Sequence, residues 1–198
     1  MRKFEEKKFN IPELKGISKK SIEEHLKLYN GYVKHANLIL DKIREMKIDA
    51  EKNAYALAEI NRRFGFEYNG MRNHEIYFSS FEGKANEIKM EGPLGQQVKS
   101  DFGSFEIWIQ EFKSIAMTRG IGWAMLYYDK KDKRLLNAWV DEQHIGQLQD
   151  CALILGLDMW EHSFVYDYEP SGKKNYVEDF FSNINWENVE RNFAEANK

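Results

Sequence analysis

Hydrophobic positions recur at helical spacing through the first part of the chain. Ile22, Leu26, Tyr29, Val33, Ala36, Leu40 and Ile43 share one side of a helix that Ser18 caps and that runs to about Met46. A second helix is predicted from about Asp49 through Ala54, Leu57, Ile60 and Phe64, with Gly65 and Gly70 punctuating the chain beyond it. A third helical stretch is predicted from near Asn73, carrying Ile76, Tyr77, Ser80 and Phe81. Ahead of these, residues 1–16 read as an extended arm, so residues 1–88 are helical in outline. A linker at Gly83 to Gly95 contains Pro93, and a helix from Gln96 places Phe102, Phe105, Ile109 and Phe112 on one side. The texture changes at Gly120. Trp123 to Tyr128 reads as a buried strand, Asp129 to Lys133 as a polar turn and Arg134 to Val140 as the second strand of a hairpin. Leu153 to Met159 reads as a third strand, and Tyr176 to Asn197 returns to helix. There are no internal repeats and no low-complexity segments.

Composition narrows the class. Hydrophobic residues make up 42% of the 198 positions and charged residues 31%, the balance of a globular chain rather than a disordered one. The net charge of -3 forces no basic face, so nucleic acid is not expected as a partner. Cys151 is the single cysteine, which excludes an intrachain disulfide and suits a reduced cytoplasm. The segment MRKFEEKKFNIPEL lacks the apolar core of a signal peptide. The longest apolar run, Ala152 to Leu157, falls far short of the roughly 18 residues of a membrane span, so no membrane association is expected.

Candidate chemistry rests on five histidines: His25, His35, His74, His144 and His162. Asp158 and His162 stand at i and i+4, a spacing that can bring a carboxylate and an imidazole to one side. Such a pair can ligate a transition metal, although at a surface it more often makes a plain hydrogen bond. His25 lies on the apolar side of the first helix with Tyr29 and Tyr32 at i+4 and i+7, which by itself also describes a core histidine under a tyrosine hydroxyl. His74 alone could simply open a helix. His35 and Cys151 carry no chemistry on this reading: an exposed helix residue and a small buried one.

Taken together these residues say more. Asp158-Met159-Trp160-Glu161-His162 resembles the D-x-W-E-H string of the iron/manganese superoxide dismutases. Ile17-Ser18 through His25 resembles that family's first-ligand helix, and Asn73-His74 followed by aromatics its second. Phe102-Gly103-Ser104-Phe105, Gly120 to Ala124 and Asn185-Trp186 resemble further landmarks in the same order. The resemblance implies an α+β fold, with an N-terminal helical hairpin domain over 1–88 and a C-terminal α/β domain over 89–198 holding a small three-stranded antiparallel sheet. It implies one Mn or Fe ion per subunit on His25, His74, Asp158 and His162. It also implies an oxidoreductase acting on superoxide as an antioxidant, converting it to dioxygen and hydrogen peroxide, in a homodimer or tetramer.

The family's solvent-holding glutamine comes from four positions before the second histidine in many iron-type members, where this chain has Gly70. In manganese-type members it comes from the hairpin, where Gln143 stands beside His144. This favours manganese. Tyr32 matches the family's gateway tyrosine, but at i+7 from His25 where most members have i+8. A straight helix is therefore expected where relatives bulge. Tyr29 replaces a usual histidine and Val165 its usual tyrosine partner, which makes Tyr29 a candidate lining residue of a rebuilt access funnel. Phe78 replaces a usual tryptophan, and Lys173 stands near where an arginine closes the funnel. Glu161 is expected to bond the last ligand histidine of the other subunit, and Trp123 and Trp160 to wall the pocket. Two other readings compete: a non-catalytic metal-binding homodimer that kept the fold, and a metal-dependent hydrolase or oxygenase.

Overall fold

The computed structural model describes residues 2–198. Two long helices, α1 (Lys19–Met46) and α2 (Ala54–Ser79), lie against each other, joined by a short 3-10 turn and loop. They run antiparallel: Tyr29 meets Glu75, Tyr32 meets Gly70, and His35 approaches Glu67. The Ser18 hydroxyl accepts from Ser21 N, the expected cap. α1 is α-helical throughout with no π turn, as the one-residue shorter spacing to Tyr32 requires.

α2 departs from the expected break. It passes through Gly65 and Gly70 as one helix, so His74 stands well inside it rather than at a start. Glycine lowers helix propensity by about 1 kcal/mol, which tertiary contacts can override. Two other expected helices are divided. Gly103, at φ 89, ends α3 (Pro93–Phe102), and Ser104 caps α4 (Phe105–Ala116) by accepting from Ile107 N. Ile184 and Asn185 leave helical geometry between α5 (Lys173–Asn183) and α6 (Trp186–Ala196). There the Asn185 side chain accepts from Glu187 N at 3.2 Å and from Asn86 Nδ2 at 2.8 Å.

The sheet is the expected small antiparallel one, in order β2-β1-β3, with β1 Gly122–Asp129, β2 Arg134–Asp141 and β3 Cys151–Asp158. β1 is the central strand and is buried along nearly its whole length. α4 covers β1 and β2, while α2 and α6 pack on β3. Register places Trp123 opposite Asp158, which brings the end of the sheet to the hairpin. The N-terminal arm straps α1: Phe4 N donates to Asn37 Oδ1 and Lys7 N to Tyr29 Oη, each at 2.9 Å. No helix among the described residues is long and apolar enough to cross a membrane.

Candidate metal centre

Four side chains from distant parts of the chain converge. α1 supplies His25, α2 His74, the end of β3 Asp158, and the following 3-10 turn His162. Their ligand-type atoms all lie within 4.8 Å of one another. Asp158 Oδ2 is 3.2 Å from His25 Nε2, 3.2 Å from His162 Nε2 and 3.5 Å from His74 Nε2. Atoms each about 2.1 Å from a shared ion stand about 3–4 Å apart, so this spacing suits one. His25, His74 and Asp158 are fully enclosed, and only His162, with 23% of its side chain exposed, faces outward.

The chain prepares these groups for a cation. His74 Nδ1 lies 2.6 Å from the Gly70 carbonyl, one turn back in α2, and its N–H donates there. That assignment leaves Nε2 as a bare acceptor, and Nε2 is buried with no hydrogen-bond partner. Such an orphaned lone pair in a dry cluster is costly unless a cation takes it. Burial lowers the His74 pKa to about 3, helped by the His25 ring, and burial likewise lowers that of His25. Burial works against ionising Asp158, yet His162 and His25 hold its pKa below the ordinary carboxylate value. Neutral imidazoles around an ionised carboxylate are the protonation states a transition metal needs. Asp158 Oδ1 accepts from Trp160 N at 2.8 Å, and its backbone carbonyl accepts from Tyr176 Oη at 3.0 Å.

A chain of hydrogen bonds runs beside the cluster. Trp123 Nε1 donates to Gln143 Oε1 at 3.0 Å, and Gln143 Nε2 donates to Tyr32 Oη at 3.0 Å. Asn73 Nδ2 holds the Gln143 carbonyl at 2.9 Å. Tyr32 lies 5.0 Å from the His74 ring and Trp123 5.1 Å from it. Burial raises the Tyr32 pKa above its usual value, as do the charges of Asp158 and Glu67, against Arg63. Gly70 is more than a missing glutamine, because a Cβ there would stand 2.6 Å from the Tyr32 ring.

Several expected residues are elsewhere. Tyr29 is fully buried, with its hydroxyl between Lys7 N and Glu75 and its ring against Phe9 and Phe78. α1 turns it toward the arm and away from solvent. Lys173 donates to the Thr118 carbonyl at 2.9 Å and lies over Trp139, a half-buried position that lowers its pKa. One of its three ammonium N–H groups is spent on that carbonyl. His144 packs against Phe66 and contributes no bond to the Trp123–Gln143–Tyr32 chain. Glu161 is exposed on this single chain. Trp160 stacks on His162 at 5.8 Å, and Phe78 fills its place 4.9 Å from His25. Sequence reasoning gave no role to Asn73, Phe66, Tyr176 or Tyr77, whose ring lies 4.9 Å from that of His25. Asn73 and Tyr77 flank His74 in sequence, and that proximity was the available signal.

Comparison with known proteins agrees with this geometry. Residues 90–192 match the family description "Iron/manganese superoxide dismutases, C-terminal domain". The chain is 34% identical over 186 residues to a protein of Cupriavidus metallidurans named Superoxide dismutase [Fe], covering 92% of this chain and 91% of that one. It is 32% identical to a Superoxide dismutase [Fe] of Methanothermobacter thermautotrophicus, covering 98% and 99%. It is 31% identical to Superoxide dismutase [Mn] 2 of Haloferax volcanii, covering 85% and 82%.

Proposed function

From the premise that this chain belongs to the iron/manganese superoxide dismutase family, we infer that it is a superoxide dismutase, turning two superoxide ions and two protons into dioxygen and hydrogen peroxide. The observation that carries this is the convergence of three imidazoles and one carboxylate, with His74 Nε2 left buried and bare. His25, His74, Asp158 and His162 would hold the ion, two from the 1–88 helical part and two from the 89–198 part. Bound Fe or Mn supplies the one-electron redox change that the reaction requires.

The remaining work falls to the chain. The His74 bond to Gly70 and the Trp160 bond to Asp158 hold the ligand atoms in place. Trp123 fixes the Gln143 amide with its oxygen turned away, so the NH₂ group addresses Tyr32 and the pocket. Tyr32 Oη accepts that N–H, which leaves its own O–H free to donate into the pocket. With its pKa raised, Tyr32 stays protonated at neutral pH and is the gateway donor. Trp123 and Trp160 wall the site and limit access to small species. Gln143 rather than His144 is the glutamine-type partner, and with Gly70 closed by the Tyr32 ring this supports manganese over iron.

The working unit on this reading is a homodimer, in which exposed Glu161 reaches the last ligand histidine of the second copy. A reduced cytoplasm suits the single free Cys151. The test is paired. The apoprotein is loaded separately with Mn and with Fe, bound metal is quantified, and dismutation is assayed for each. About one metal per chain with activity is expected, higher with Mn. Stoichiometric metal without activity would leave the non-catalytic metal-binding homodimer, and no metal would remove the four-ligand assignment.

A further inference from the structure

The approach to the cluster can be located from the side chains around it. Only His162 among the four faces outward. Trp160 lies on that ring, Tyr32 lies on His74, and Phe66 touches both, at 6.4 Å from Trp160 and 6.0 Å from Tyr32. These partly exposed aromatic rings adjoin His162 and His74 on the side where the cluster reaches the surface. An anion approaching it should meet a cation, and the half-buried Lys173 lies over Trp139 with one N–H on the Thr118 carbonyl.

Another cation stands beside these rings. The Arg63 guanidinium lies 3.7 Å from the centre of the Phe66 ring. Its Nε donates to Glu67 Oε1 at 2.8 Å, one turn along α2. Glu67 is buried, whereas half of the Arg63 side chain is exposed. The pair is therefore oriented, carboxylate inward and guanidinium outward. Nε is spent on Glu67, while neither Nη group bonds to another described residue, and an incoming anion meets those free N–H groups first.

We propose that Arg63, positioned by Glu67 and Phe66, is the residue that draws the anionic substrate to the pocket mouth. The proposal rests on the dismutase reading, and the experiment separates the two. Metal-loaded wild type, Arg63→Ala, Arg63→Lys and Lys89→Ala are compared for kcat/KM toward superoxide across a range of ionic strength. Azide binding to the same loaded proteins is titrated by absorbance. Lys89, paired with Glu187 on the surface, controls for loss of one unit of net charge.

Arg63→Ala is expected to lower kcat/KM about 2–5-fold at low salt, to flatten its decline with salt, and to weaken azide binding. Arg63→Lys is expected to retain most of the salt dependence, which a merely structural role would not predict. An active wild type whose salt slope and azide affinity survive Arg63→Ala overturns the proposal. So does an equal effect from Lys89→Ala. An inactive metal-loaded wild type instead overturns the dismutase reading on which it stands.

Discussion

At the scale of single residues, the proposed chemistry turns on two atoms: the bare Nε2 of His74 and the amide nitrogen of Gln143. Replacing Gln143 by Ala removes the donor to Tyr32 and leaves the four ligands untouched. We expect activity to fall about 10–100-fold with metal still bound, a loss of the size typical for groups that orient a metal site. Metal analysis beside the assay checks this, and unchanged turnover would pass the role to His144. The pKa shifts make a second prediction, for the apoprotein. Burial holds His74 at about 3 against an ordinary 6.5, so the unfolded chain takes up protons that the folded chain refuses. The stability tied to His74 is whole above about pH 6.5 and is lost as pH falls toward 3. Asp158, lowered from 3.8, adds a loss of the same sign in acid. The apoprotein midpoint should drop between pH 7 and pH 4 in a thermal scan, and a flat profile would count against neutral buried rings. The four ligand-type residues were legible because the string from Asp158 to His162 is compact and the other two follow in a fixed order. The contacts of Tyr29 and Lys173 were not legible, because their hydrogen-bond partners, Lys7 and Thr118, lie far away in sequence.

Among the elements, α2 explains most. A glycine marks a local weakness that only the neighbouring helix can justify, and Tyr32 of α1 occupies the space beside Gly70. Gly70→Gln should therefore not convert the site to one with a helix-borne amide. It should push the Tyr32 ring aside and destabilise the fold by about 1–3 kcal/mol, the usual range for overpacking. Denaturant unfolding measures this, and a stable variant with full activity would show that Tyr32 can yield. The straight course of α1 was readable from the His25 to Tyr32 spacing. The breaks at Gly103 and Asn185 were not, because apolar periodicity continues across both. What divides those helices is capping by Ser104 and Asn185 and the bond from Asn86, which periodicity does not encode.

For the whole molecule, the homodimer proposed above can be tested at the face that carries Glu161. Glu161 is exposed beside Val165 and Tyr166, which are 44% and 49% exposed. Glu161→Ala should shift the protein toward monomer at concentrations where wild type is dimeric, as light scattering would show. A monomeric wild type would remove the second copy from the site. The fold's class and the order of its elements along the chain were legible, since the strands are short, aromatic-rich and separated by clear turn chemistry. A last consequence concerns timing. His25 and Asp158 meet across 133 positions of chain, and loops that long close late. While the ribosome is still making the sheet, half of the coordinating set has not been synthesised. The emerging helical hairpin carries His25 and His74 but neither Asp158 nor His162. The four side chains therefore cannot come together until residues 158–162 have been made.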